Sequence, residues 1–338
     1  MRNNIAVTVI ITAHSRKNFL LQAINSVISM RLHIDNYQII VVKNFYDSEI
    51  DTFISNHGIL NLYCTDLNLG SKIEYSLKFI KGEIVFFLDD DDIFSQDKVE
   101  TIARYFLSDT DIFYIHNGQN IIDENGNLLK RNKISNRQND LKTIKIDQES
   151  EKKVYRLLLR KCLSFNLSSI SIRREVLEKL KLFLPRVYLR TDLVILASSL
   201  DLNPKVIGYT DSPLTKYRIH GKNLSKFEIG SISNYNFLQD SITNLSNLKH
   251  FSKCSLINSL CDYFIMQTKI KVNLFLALDR HNTIYELSVT DLLKQVISSH
   301  KLENIVYYVL MKISAFKPSF FMFTYKVYRK ISTMFNYS

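Results

Sequence analysis

Ile84-Val85-Phe86-Phe87-Leu88-Asp89-Asp90-Asp91-Asp92 is the stretch that decides the fold. Five large apolar residues in a row form a strand covered on both faces, as in a parallel sheet flanked by helices. The four carboxylates at its exit repel one another, and stability alone would not favour such a cluster. A divalent cation with hard oxygen ligands relieves the repulsion, and Mg²⁺ or Mn²⁺ in turn bridges to the phosphates of a nucleotide. The other reading is an acidic turn in which Asp92 caps the following helix.

Moving outward, the first hundred residues alternate between strand and helix. Ile5–Ile11, Tyr37–Val42 and Leu60–Cys64 carry the β-branched, apolar content of buried strands. Between them, Leu20, Leu21, Ile24, Val27 and Ile28 recur at helical spacing behind Ser15, a capping residue. Further helices are expected over 50–56, 73–80 and 95–107, and a strand over 112–116. The alternation predicts an α/β fold with a mostly parallel sheet, whose ligands sit at the carboxyl ends of the strands. Residues 121–153 are polar and read as a hairpin plus a long exposed loop. Beyond them come a helix over 157–163, a strand over 168–172, helices over 174–180 and 192–199, and strands over 206–209 and 214–219. After about Gly230 only helical spacing remains, through Phe237, Leu245, Leu256, Leu260, Phe264, Leu274, Leu278, Leu292 and Val296. The expected organisation is a catalytic domain over 1–228 and a helical C-terminal region over 229–338.

The chain has 338 residues, 46% of them hydrophobic and 23% charged, which excludes extended disorder and allows a sizeable core. The net charge of +11 favours anionic partners. No zinc-finger spacing, RNA-binding aromatic motif or long Lys/Arg block accompanies it, so no nucleic-acid partner is expected. Cys64, Cys162, Cys254 and Cys261 lack metal-site or disulfide spacing and are read as thiols in a reducing compartment. No apolar run approaches the roughly twenty residues of a spanning helix, and the opening strand is too short for a signal h-region, so neither a spanning helix nor a signal segment is expected. The expected location is the cytoplasm or the cytoplasmic face of a membrane.

Several segments, in this order, resemble the family 2 glycosyltransferases. They are Val7-Thr8-Val9-Ile10-Ile11-Thr12 with Arg16; Asn68-Leu69-Gly70; Gly82-Glu83 running into the acidic strand; Ser171-Ile172-Arg173-Arg174-Glu175-Val176-Leu177; Thr191-Asp192; and Tyr217-Arg218-Ile219-His220-Gly221-Lys222-Asn223-Leu224-Ser225. The resemblance implies a GT-A type fold and an inverting, metal-assisted transfer of sugar. The donor is a nucleotide-sugar, and the acceptor a hydroxyl of a glycan or lipid-linked saccharide. Asp89 and Asp91 match the family's metal-holding Asp-x-Asp pair, with Mg²⁺ or Mn²⁺ as the ion. His220 resembles a third metal or diphosphate ligand, although a lone histidine is as readily structural, and Arg218 or Lys222 would then meet the diphosphate. Thr12, Arg16, Asn44, Lys72, Asp89 and Asp90 fall on the donor side, with Lys72 equally readable as a solvated lysine. Asp192 matches the general base.

Two departures stand out. Lys43-Asn44-Phe45-Tyr46-Asp47-Ser48 replaces the family's Asp-Asp-Gly-Ser, leaving Asn44 or Asp47 to read the base. Thr12-Ala13-His14-Ser15-Arg16 replaces its Pro-x-Tyr-Asn-Arg. A nucleotidyltransferase or pyrophosphorylase is a rival reading, but it calls for a Gly-rich basic loop after the first strand. A non-catalytic nucleotide-sugar binder is a second rival, opposed by intact Asp89, Asp91, Asp192 and His220. In the tail, Phe320, Phe321, Val327, Tyr328, Ile331 and Phe335 lie mostly opposite Lys326, Arg329 and Lys330 on a helical projection. Such a helix suits the surface of an anionic membrane or packs on the catalytic domain.

Overall fold

The computed structural model describes residues 7–14, 17–30, 37–130, 141–202, 206–220, 232–278 and 284–316. The chain divides into two compact units, one of residues 1–149 with 162–221, the other of 150–161 with 222–338. Four strands and three helices alternate at the start of the first unit: β1 (Val7–Ala13), α1 (Lys17–Ile28), β2 (Tyr37–Lys43), α2 (Ser48–Asn56), β3 (Leu60–Tyr63), α3 (Leu69–Leu77) and β4 (Ile84–Asp89). β5 (Ile93–Phe94), α4 (Lys98–Ser108), β6 (Tyr114–Ile122), β7 (Leu128–Lys130) and β8 (Lys142–Lys145) follow. The helix α5 (Glu151–Arg160) belongs to the second unit. The first unit then resumes with β9 (Ile170–Arg173), α6 (Arg174–Leu180), α7 (Thr191–Leu202) and β10 (Val206–Arg218).

The strands form one sheet in the order β3-β2-β1-β4-β9-β6-β10-β5, with β7 added beside β6 and β8 beside β10. β1, β2, β3 and β4 pair in parallel, and β6 pairs in parallel with β10. β9 is antiparallel to both β4 and β6, so β1, β2, β3, β4, β6 and β10 all end on the same edge. The mixed, mostly parallel sheet follows from strands buried along their length, β1 at every position and β4 until Asp89. Leu20, Ala23, Ile24 and Val27 of α1 join Val9, Ile11, Phe86 and Leu88 in the main core.

Asn68 and Gly70 illustrate how a short motif positions the carboxyl edge. Asn68 caps α3 by accepting the Gly70 N–H at 2.9 Å, while its amide donates to Pro185 O at 2.8 Å. A Cβ on Gly70 would lie 2.0 Å from Leu184 O, so only glycine lets that backbone approach. Gly70→Ala is expected to destabilise the first unit by about 1–3 kcal/mol, read as a lower denaturant midpoint. An unchanged midpoint would show that the 184–187 turn moves freely.

In the second unit, α8 (Ile232–Phe251), α9 (Ser255–Leu278), α10 (Val289–Ser299) and α11 (Glu303–Phe316) assemble with α5. Ile270, Leu274, Leu292, Tyr307, Leu310 and Met311 form its core. No described helix is long and apolar enough to cross a membrane. The boundary expected near residue 228 and the amphipathic tail over 317–338 lie outside the described residues. All four cysteines are free thiols.

Three elements differ from expectation. Within 121–153, expected as a hairpin plus a long exposed loop, β8 pairs antiparallel with β10. The helix expected at 157–163 begins at Glu151, and the two strands expected at 206–209 and 214–219 are one strand, β10. Its pairing with β6 shifts register around Pro213, where the missing N–H interrupts the ladder.

Candidate active site

The carboxylates gather where β1 and β4 end side by side, with Thr12 in register with Asp89. Thr12 Oγ1 donates to Asp89 Oδ1 at 3.1 Å, and Asp89 N donates to Ser168 Oγ at 3.0 Å. Asp89 is half-buried, whereas Asp90, Asp91 and Asp92 are buried. Asp90 continues the β1–β4 ladder by donating its N–H to Thr12 O at 3.1 Å, and its carboxylate accepts His14 N at 3.0 Å. Asp91 Oδ2 lies 2.9 Å from His220 Nε2, and the imidazole tilts against the Phe19 ring.

Asp92 is buried as well. Its Oδ1 accepts the Arg218 N–H at 2.9 Å rather than capping α4, whose N-cap position is Asp97. Burial, with Asp91 and Asp89 close by, raises its pKa well above the usual carboxylate range. Burial likewise drives Lys98 well below the ordinary lysine range, against the pull of Asp92. Both groups are therefore pushed towards their neutral forms. The Lys98 amine donates to Ser168 O and, at 3.0 Å, to Thr215 Oγ1.

Arg218 fastens the site from behind. Its guanidinium donates to Asp91 O at 2.8 Å, to Asp123 O and Glu124 O, and to Gln22 Oε1 at 2.7 Å. It also stacks over Phe19, 4.5 Å from the ring centre. These contacts join β4, the β6–β7 turn and α1. Lys72 is buried too. Its ammonium donates to Ala13 O at 2.9 Å and contacts His14 Nδ1 at 3.1 Å, so it supports the exit of β1 and is not a solvated surface lysine.

Asp192 opens α7 and is half-buried; its Oδ1 accepts Leu193 N at 2.8 Å. Burial raises its pKa above the usual carboxylate range, opposed by Arg190 and by backbone donors that include Asn166. The turn over 166–169 is the bridge: Asn166 meets Asp192, and two residues on Ser168 holds Asp89 N. Asn166 adopts a left-handed φ of 64° and caps the turn by accepting Ser168 N. From β6, Tyr114 donates its hydroxyl to Leu163 O, and His116 Nε2 meets Phe165 O at 2.9 Å. Burial lowers His116 to about 4, which keeps the ring neutral and donating.

At the β2 exit, Asn44 is half-buried. Asp47 caps α2 through Ile50 N and pairs with Lys17 at 2.8 Å. Beside them exposed Tyr46 stacks on Tyr63, with ring centres 4.1 Å apart. Arg16 lies outside the described residues.

Thus Asp89, Asp90, Asp91, Thr12 and His220 share one end of the sheet, with Asp192 tethered to it. Among the described residues, no three His, Cys, Asp or Glu side chains converge as a complete metal-ligand set. The Asp91–His220 pair nonetheless suits a cation: two neighbouring ligands on an octahedral ion stand about 3 Å apart. Sequence reasoning did not single out Asn166, Ser168 or Lys98. The pairing of Asn166 with Ser168 ahead of a β-branched run is the one local signal, a side-chain turn.

A sequence model of glycosyl transferase family 2 matches residues 8–180, just over half of the chain. An uncharacterized glycosyltransferase of Rickettsia conorii is 25% identical over 311 residues, covering 79% of this chain and 47% of that protein. A second, from Rickettsia bellii, is 27% identical over 128 residues, covering 37% of this chain and 18% of that protein. The chain thus spans about half the length, or less, of these curated relatives. Among solved structures, S. aureus TarS 1–349 in complex with UDP-GlcNAc superimposes with a TM-score of 0.56 at 11% identity, covering 91% of each chain. The mannosyltransferase PcManGT from Pyrobaculum calidifontis, in complex with GDP-Man and Mn²⁺, gives a TM-score of 0.53 at 12% identity, covering 92% of this chain and 86% of its own.

Proposed function

The chain belongs to glycosyl transferase family 2 and has the GT-A type fold, and on that premise we propose that it moves a sugar from a nucleotide-sugar donor to a hydroxyl acceptor with inversion. The observation that carries this reading is the meeting of Asp91 with His220 beside Asp89, with Asp192 joined to Asp89 through the 166–169 turn.

In this reading Asp91 and His220 would hold Mg²⁺ or Mn²⁺, and Asp89 would lie on the donor side. The ion, when bound, neutralises charge on the departing diphosphate. Thr12 and Ser168 orient Asp89, and Arg218 fixes the backbone of Asp91. Asp192 accepts the proton of the acceptor hydroxyl as its oxygen bonds to the anomeric carbon, while the bond from that carbon to the diphosphate oxygen breaks. The raised pKa of Asp192 strengthens it as a base. Asn44 and the Tyr46–Tyr63 stack border the donor base at the β2 exit, and Lys72 supports the exit of β1 beside them. The acceptor is a glycan or lipid-linked saccharide, and the tail over 317–338 contacts an anionic membrane. The working location is the cytoplasmic face of that membrane.

The test is a donor screen. Purified full-length chain, with Mn²⁺ present, is incubated with UDP-, GDP- and dTDP-sugars, and released nucleotide is measured together with donor binding by calorimetry. One nucleotide series is expected to bind and turn over. Absence of both binding and release across all series would end the transferase reading.

A further inference from the structure

The charge of the chain is distributed unevenly. Residues 1–149 with 162–221 contain 25 Lys and Arg against 25 Asp and Glu, whereas residues 150–161 with 222–338 contain 19 against 8. The whole net charge of +11 therefore lies in the helical unit, and the unit that carries the active site is neutral.

The same helical unit exposes an ordered apolar row. On α10, Val289, Leu293 and Ile297 recur every four residues and are 52%, 48% and 65% exposed. Adjacent positions on the helix do the packing: Leu292 is in the core with Ile270, Leu274 and Tyr307. The helix is firmly held. Ser288 caps its start through Asp291 N, and the Arg156 guanidinium of α5 donates to Ile297 O and Ser298 O at its end. Leu302, just beyond α10, is 65% exposed. Lys294 stands next to the row with a side chain 79% exposed and pairs loosely with Asp291 at 3.7 Å, and half-buried Lys301 follows the helix.

We propose that the Val289–Leu293–Ile297 face of α10 docks on an anionic lipid bilayer, lying in the plane of the interface. A helix of this length gives a contact about 16 Å long. The two halves of the surface fit the two halves of a membrane interface: apolar side chains enter the boundary of the acyl region, and lysines meet anionic head groups. A second copy of the chain is a poorer occupant, because it would bring a second unit of the same strong positive charge against the first. A polyanion such as nucleic acid would use the lysines and leave the apolar row in water. The apolar contact rests on α10 and not on the tail, which supplies 4 of the unit's 19 basic residues, and the proposal stands independently of the transferase reading.

The test is flotation of the full-length chain with vesicles of phosphatidylcholine alone or with about a third phosphatidylglycerol. Binding is expected to the anionic vesicles only, and to weaken with salt, since each basic residue near the surface strengthens binding roughly fivefold. The double variant Leu293→Ser, Ile297→Ser is expected to bind at least about tenfold more weakly with an unchanged melting temperature, because both side chains are exposed. Ile297→Phe is expected to bind more tightly. Equal flotation of wild type and double variant would overturn the proposal and leave the tail as the only candidate contact. A concentration-dependent dimer that the double variant abolishes would overturn it in favour of self-association.

Discussion

Asp91→Asn is expected to lower the rate of sugar transfer by about 10³-fold while leaving the fold intact. The substitution keeps the shape and a hydrogen-bonding partner for His220, whose Nε2 lies 2.9 Å from Asp91 Oδ2. What it removes is one of the two donors that suit a divalent cation, and with it the charge balance on a departing diphosphate. Losing a single preorganised electrostatic contact of this kind typically costs 10²–10³ in rate, and losing a metal costs more. Stability moves the other way. Burial first, and then Asp91 and Asp89, push up the pKa of Asp92, so neutralising Asp91 relieves part of the strain on the cluster. The melting temperature is expected to hold or rise. Mn²⁺ titration followed by calorimetry gives a readout separate from turnover, with weakened binding expected in Asp91→Asn and His220→Ala alike. Full activity after treatment with EDTA would remove the metal from the mechanism, and unchanged Mn²⁺ affinity in both variants would move it to other ligands.

Much of this site was legible in residue order. The apolar run into Asp89 predicted β4, its parallel pairing with β1 and an acidic cluster at the carboxyl edge of the sheet, though not its antiparallel neighbour β9, and Asn68-Leu69-Gly70 marked the turn that caps α3. The interior of the site was not legible, for a physical reason. Sequence pattern treats lysine and arginine as surface residues, yet Lys43, Lys72, Lys98 and Arg218 are all buried. Their partners are backbone carbonyls and side chains that only the fold brings near, such as Ala13 O for Lys72 and Glu124 O for Arg218. Strand direction was equally hidden. Ser168-Ser169-Ile170-Ser171-Ile172 reads as a strand in either orientation, and only its neighbours β4 and β6 make β9 antiparallel. Asp211-Ser212-Pro213 looks like a turn between two strands because proline cannot donate to a ladder. In the fold that segment is an irregularity within β10, and the strand passes through it to deliver Arg218 and His220. The start of α5 was missed because Glu151-Lys152-Lys153 carries no apolar spacing, although it forms the first turn of the helix.

Asp192→Asn separates the base from everything else the residue does. Asparagine retains an oxygen for the Leu193 N–H, so the first turn of α7 keeps its bond. It has no proton affinity in the working range, and kcat is expected to fall by about 10²–10⁴-fold with donor affinity little changed. The pH dependence carries a second, independent signature. Burial, the dominant effect, raises the Asp192 pKa, and Arg190 only partly opposes it. A carboxyl with a raised folded-state pKa binds its proton more tightly in the native chain than in the unfolded one. Its effect on stability is therefore most favourable below the unfolded value of 3.8 and is lost as pH rises towards the raised folded value. Above that value the buried charge is a constant cost, which the asparagine variant lacks. At neutral pH the variant should accordingly be as stable as the wild type or more so, with the gap closing in acid. Wild-type turnover should rise with pH as Asp192 loses its proton, and the residual turnover of the variant should lack that step. Melting curves and kcat profiles over the same pH range test both together. Near-normal turnover in Asp192→Asn would place the base elsewhere, with Asp201 and Glu175 the next residues to examine. A large loss of stability at neutral pH would instead show that the ionised carboxylate holds α7 in place, and that its burial is structural.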